Sequence, residues 1–420
     1  VAIMLGRRSL GRRFRWLWTA YAVSTVGTWL AFDAFPLIAI RVLHAGTTEV
    51  SVLAASGLAV AAAVAVPLGP WVEFRRKRPV MVTMDLIRCA ALLSVPAAFA
   101  LGRLGFAQLV VVSVVVGAAD IAFTAAGGAC LKALVRPEDR LVANGRFEST
   151  TWTATVLGPP LGGAAIGLFG PVMTVTANAV SYLLSAVAIR AIGGREPRPA
   201  RPEASPRLRA GDLLDGWRHI LADAVLRPLF FNTVLVSGLI MATMPLLAVL
   251  MLGTLGFTPW QYGLAFAVPC VGGLIGSRLA SPLVNRFGRR GVLLTTGALR
   301  ACWSLGLAFI GPGTAGLVLV MVVEFGLITC MGIFNPVFAT YRLDRTPTDR
   351  VARTLSAWSI TSKASIAALT ALWGLLAAVT GPRTAIAIAG LLIMATPFLL
   401  PRREDRPPRL APKPSHSRTS

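Results

Sequence analysis

The chain has 420 residues, of which 55% are hydrophobic and 14% charged, with a mean hydropathy of +0.69 and a formal net charge of +23. That composition lies outside the range of soluble globular domains and reads as a polytopic membrane protein. Its basic residues stand in brief clusters between apolar runs of about 20 residues, so they mark topology and exclude a nucleic-acid surface.

Twelve apolar stretches of membrane-crossing length follow in chain order: 16–40, 50–72, 79–101, 106–130, 149–169, 171–192, 226–251, 259–284, 291–311, 314–338, 356–379 and 382–400. The basic start, Arg7 to Arg15, leads into the first without a small-residue cleavage site, so that span is expected to be retained. Residues 1–192 form an N-terminal six-helix bundle, 193–225 a cytoplasmic linker, 226–400 a C-terminal six-helix bundle and 401–420 a disordered tail. The termini and the connections after even-numbered spans carry nearly all lysines and arginines. The opposite set holds only Arg41, Arg103 and Arg383, which puts both termini in the cytoplasm of a bacterial cell (inner) membrane. In the linker, Leu208, Leu213, Leu214, Trp217, Ile220, Leu221 and Val225 are spaced as one helical face, expected to lie on the inner membrane surface or in a solvated linker helix. Cys89, Cys130, Cys270, Cys302 and Cys330 all fall in apolar runs and indicate no disulfide framework. His44, His219 and His416 are too scattered for a histidine metal centre.

The sequence repeats itself. Gly69-Pro-Trp-Val-Glu-Phe-Arg-Arg-Lys-Arg78, after span 2, returns after span 8 as Ser281-Pro-Leu-Val-Asn-Arg-Phe-Gly-Arg-Arg290, and the offset from Pro70 to Pro282 is 212. The same offset relates Val72 to Val284, Arg78 to Arg290 and Arg88 to Arg300. Before span 5, Pro137-Glu-Asp-Arg140 is echoed by Pro347-Thr-Asp-Arg350 before span 11. Each copy is a basic hinge between two membrane-length segments, and hinges that cannot enter hydrocarbon hold both hairpins to one face of the bilayer.

Two six-span halves with such hinges resemble the major facilitator superfamily, whose hinge pattern is Gly-x-x-x-Asp-Arg/Lys-x-Gly-Arg/Lys-Arg/Lys. The first copy keeps Gly69, Lys77 and Arg78 but has Glu73 as the acid, with Arg75 and Arg76 between; the second keeps Arg286, Gly288, Arg289 and Arg290 but has Ser281 and Asn285. In span 5, Ala154, Gly158, Pro159, Gly162 and Gly163 resemble the Gly-x-x-x-Gly-Pro-x-x-Gly-Gly motif of that superfamily's proton-coupled exporters. Together with Pro137 to Asn144, they resemble its macrolide-efflux and siderophore-export branch.

Ionisable groups within spans are costly and become functional candidates. They are Asp33, Asp85, Arg88, Asp120, Arg278, Arg300 and Glu324, with Glu148 at the inner end of span 5. The resemblance implies that spans 1, 4, 7 and 10 line a central cavity, which puts Asp33, Asp120, Asn232 and Glu324 near substrate. Asp33 or Glu324 is the carboxylate expected to exchange protons. Asp85 and Arg88, three apart, are expected to pair, as are Arg300 and Glu324; a permanent pair would remove Glu324 as a proton carrier. By resemblance, Glu73 sits at the N-terminus of span 11 when the inner side is shut, so the hinges gate the cytoplasmic side.

The expectation is an all-α membrane protein of twelve transmembrane helices in two pseudo-symmetric bundles. It is a monomeric exporter of a small amphipathic compound, not an enzyme, with lipid and protons as its other partners. No cofactor or metal is implied; the proton gradient supplies the energy. The alternatives are an importer or facilitator and, more remotely, a membrane-embedded enzyme or receptor.

Overall fold

The computed structural model describes residues 10–31, 34–43, 53, 63, 68–194, 196 and 214–400. Every regular element among them is helical, as expected where no water is available to satisfy backbone polar groups. Helices α1 (Gly11–Leu30) and α2 (Ala34–Arg41) make the first span, and α3 (Leu68–Glu73) is the hinge end of the second. The rest of the second span lies outside the described residues, apart from residues 53 and 63. Spans 3 to 6 are α4 (Lys77–Ala100), α5 (Phe106–Leu134), α6 (Arg140–Phe169) and α7 (Pro171–Ala191). A short helix, α8 (Asp215–Ala222), precedes α9 (Leu226–Ala248), α10 (Pro259–Ala267) and α11 (Cys270–Trp303). The last three spans are α12 (Gly313–Arg345), α13 (Val351–Thr380) and α14 (Pro382–Ala395).

The internal repeat reaches further than the hinges. Gly170 (φ 82°) ends α6 and Pro171 opens α7; Gly381 (φ 86°) ends α13 and Pro382 opens α14. Left-handed glycine after a helix and proline at the first turn of the next make the same tight reversal in both halves.

The second hinge falls where a connection between spans 8 and 9 is expected: the backbone leaves helical geometry at Gly288, whose φ of 75° and ψ of 156° suit glycine. Span 5 starts at Arg140, nine residues before the expected 149, so Glu148 lies two turns inside the helix. Helix α8 docks on α13, where a β-carbon at Gly216 would sit 2.4 Å from the Arg353 carbonyl and Trp217 Nε1 donates to Thr361 Oγ1 at 2.8 Å. The expected tail, 401–420, and residues 197–213 of the linker lie outside the described residues.

Small residues set the approach of α6 to α1. Ala154, Gly158 and Gly162 recur every fourth position, and α1 lies against them: a β-carbon at Gly158 would be 2.5 Å from Trp29 Cβ, and one at Gly162 would be 2.2 Å from the Leu30 carbonyl oxygen. Gly163 faces open space. Gly162→Ala is therefore expected to cost about 1–3 kcal/mol in thermal unfolding of the detergent-solubilised protein. Gly163→Ala should cost less than about 0.5 kcal/mol. Equal costs would show that close helix approach is not what the motif provides here.

Candidate functional site

The halves meet at the hinge end. Arg353 N–H, in the first turn of α13, donates to Glu73 Oε2 at 3.2 Å, and Lys77 Nζ lies 3.9 Å from Glu73 Oε1. Lys132, in the last turn of α5, donates to the carbonyls of Leu343 and Thr346 at the end of α12. Asp344 is clamped between Arg140 of α6 and Arg289 of the second hinge, the latter at 2.7 Å. The hinges differ in use. Glu73 is buried, whereas Asn285, at the corresponding place, is exposed, as is Arg286. Arg78 binds the Gly193 carbonyl, and Glu196 accepts from the backbone N–H groups of Lys77 and Arg78. Arg75 lies against Trp71, and Arg76 caps α4 by backbone alone.

Burial raises the Glu73 carboxyl to about 7; Lys77 and the Arg353 backbone N–H act in the opposite direction without overcoming it. A carboxyl raised in the closed state binds a proton on closure. The contact is thus strongest below the ordinary value near 4.5 and weakens as pH rises through about 7. Spin labels across this contact, at Arg76 and Asp349, should separate as pH rises through that window and stop responding in Glu73→Gln. An unchanged response in the variant would assign the titration elsewhere.

Above this closure lies a cavity of about 570 Å³ between the halves, walled by α1, α5 and α6 on one side and by α12 and α13 on the other. Tyr21, Trp29, Phe123, Phe147 and Trp358 give its lining several aromatic faces. Its charged groups follow from helical periodicity. On α6, Asn144 and Glu148 are four apart and face α12: Asn144 Nδ2 donates to Thr340 Oγ1 at 2.9 Å and Asn335 Nδ2 donates to Glu148 Oε1 at 2.8 Å. Trp152 Nε1, one turn on, donates to the same oxygen at 2.9 Å. Among the described residues Glu148 has neutral donors and no cation within ion-pair distance.

Farther from the hinge end stands a chain of four charges, two of which, Arg88 and Asp120, line the same cavity. Asp85 and Arg88 pair on one face of α4, fully enclosed, and the guanidinium lies between the Phe123 and Tyr182 rings at 4.4 and 4.2 Å. Arg88 Nη1 reaches Asp120 Oδ1 of α5 at 3.4 Å, and Lys363 Nζ of α13 reaches Asp120 Oδ2 at 3.0 Å. Lys363 escapes a reading that groups it with the basic connection before span 11. It stands twelve residues inside α13, and counting charges within each span would have found it.

Two expected cavity residues are elsewhere. Glu324 of α12 is 1% exposed and points into the C-terminal bundle, in a separate small void lined by Thr243, Ser304 and Gly390. Asn232 of α9 is fully buried, donating to the Thr396 carbonyl and accepting from Arg300 Nη2 at 2.5 Å. Arg300 thus donates to Asn232 and lies on the Phe334 ring at 3.7 Å, and does not pair with Glu324. Both spans are apolar around their whole circumference, so sequence gives depth but not facing. Asp33 lies outside the described residues.

The family model of the Major Facilitator Superfamily matches residues 17–361 and 229–419. The chain belongs to this superfamily. It is a membrane transporter, not an enzyme, and its fold is the superfamily's all-helical one. This superfamily member is 27% identical over 338 residues to the multidrug efflux pump Tap of Mycobacterium tuberculosis, covering 76% of this chain and 77% of the other. To Tap of Mycolicibacterium fortuitum it is 25% identical over 330 residues, covering 75% and 78%. Among solved structures, a bacterial homologue of the iron transporter ferroportin in an outward-facing state superposes with a TM-score of 0.79 at 16% identity, covering 93% of this chain and 98% of that one. The human organic anion transporter MFSD10 gives 0.72 at 15% identity, covering 92% and 99%. At such identities the two structures establish the fold alone.

Proposed function

We propose that this superfamily member exports small amphipathic organic compounds in exchange for protons, by alternating access of the central cavity to the two faces of the membrane. The observation that carries the reading is Glu148, a carboxylate in a cavity with aromatic faces, held by neutral donors from both halves. Such a group can gain or lose a proton without breaking an ion pair, as an exchange site requires. Asp120 also lines the cavity but is held between Lys363 and Arg88. The multidrug-efflux relatives support export as the direction. The Lys and Arg distribution supports hinges and termini on the cytoplasmic side of a bacterial cell membrane, with the single chain as the working unit.

In this cycle the hinge contacts shut the cytoplasmic side while the cavity faces out. A proton taken from outside neutralises Glu148 and releases substrate; the hinge end then opens, the proton leaves and a new molecule enters. Inside-out vesicles with an acidified lumen should accumulate a hydrophobic dye, and a protonophore should abolish the accumulation. Uptake by expressing whole cells, with none by vesicles, would mean import instead.

A further inference from the structure

We infer that the cavity is built for amphoteric molecules, bearing an amine and an acidic group on one aromatic body, and that Arg342 is the residue that holds the acidic group. This rests on the export reading above and specifies its substrate class.

Arg342 lines the floor of the same cavity as Glu148, one from each half. Its neighbours at that end are matched with acids: Arg353 with Asp215 at 3.0 Å, Arg345 with Asp223 at 3.9 Å, and Arg289 and Arg140 with Asp344. Arg342 is not. Among the described residues no carboxylate lies within ion-pair distance of it, and its buried Nε has no hydrogen-bond partner. Its guanidinium is instead held by two rings, Phe338 at 5.1 Å and Trp358 at 5.0 Å, which fix its position without neutralising it. A guanidinium kept free of acids beside a cavity is a ready fork for a carboxylate or a similar planar anion.

The opposite wall supplies the complement. Glu148 carries the only other cavity charge, among the described residues, that has no counter-ion. The residue it accepts from, Asn335, stands seven positions before Arg342 on the same face of α12. Two helical turns set Asn335 and Arg342 about 10 Å apart along the helix, so the charge that Asn335 holds and the guanidinium are separated by a distance of that order, and the arginine side chain leans back toward the earlier turn. An amine at Glu148 and an acid at Arg342 would thus be spanned by one ring system lying against Phe147 and Trp358. Either charge alone would leave one charged group of the site unpaired, which disfavours simple cations and simple anions.

Quenching of tryptophan fluorescence in the purified protein, where Trp29 and Trp358 line the cavity, measures this at equilibrium without a gradient. The probes are three compounds sharing one aromatic body: amine only, acid only, and both. The parent should bind the last at least about tenfold more tightly than either other probe. Arg342→Gln should erase that advantage while shifting the amine-only probe less than about twofold, and Arg342→Lys should restore most of it. Equal affinities in the parent would overturn the inference, as would a uniform loss across the three probes in Arg342→Gln, the mark of a packing role beneath Trp358. A protein that discriminates as expected but never accumulates dye in vesicles refutes proton-coupled export alone. One that pumps without discriminating refutes only this assignment.

Discussion

Glu148→Gln is expected to reduce gradient-driven accumulation in inside-out vesicles by at least about tenfold, to the level of vesicles lacking the protein, because the amide cannot carry the exchanged proton. The substitution keeps the acceptor for Asn335 and Trp152, so both hydrogen bonds that position the side chain survive. Fold and closure at the hinge end should accordingly be retained, with a thermal midpoint near the parent's. Downhill exchange of labelled for unlabelled substrate should persist as well, since the halves can still rock with a permanently neutral residue in the cavity. Glu324→Gln is the contrasting variant. Its carboxylate is enclosed in the C-terminal bundle, so it is expected to leave accumulation within about twofold of the parent. If Glu324→Gln silences transport and Glu148→Gln does not, the assignment is reversed.

The second large effect concerns the charge chain that crosses the bundle. Asp120→Asn leaves Lys363 without a carboxylate, while Arg88 keeps Asp85. Removing one partner of an enclosed ion pair typically costs about 3–5 kcal/mol, discounted here to about 1–3 kcal/mol because Asp120 is 46% exposed toward the cavity. Lys363→Met should cost less, since Asp120 retains Arg88 at 3.4 Å. Combining the two should recover much of the loss, giving a coupling of about 1–2 kcal/mol in a double-mutant cycle read by thermal unfolding. Because α5 and α13 belong to different halves, both single variants should also widen the separation of labels at the hinge end. Additive effects with no coupling would remove the bridge from the account.

The general architecture was legible because its signals are strong ones. Charged hinges cannot enter hydrocarbon, and a duplicated gene leaves the same residues at a fixed offset, so the spans and their order could be read from runs of residues. The pairing of Asp85 with Arg88 was legible for a local reason, three positions on one helix. What could not be read was facing. Glu324 and Asn232 lie at a plausible depth, but on helices apolar all round nothing in the sequence says whether a side chain meets the cavity or the interior of its own bundle. Glu148 was misplaced because Arg140, Arg146 and Glu148 read as the polar end of a connection. The structure instead continues α6 through them, with Arg140 held by Asp344 and Glu148 by Asn335, both from the other half. Such partners, 204 and 187 residues away, leave no trace in a local window.

The most direct test of exchange at Glu148 is a proton count. Substrate added to weakly buffered, purified protein containing a pH indicator should release roughly one proton per molecule bound at a pH where Glu148 is protonated, and Glu148→Gln should release none while still binding. Equal release by the variant, or binding to the parent with no release at any pH, would contradict the account.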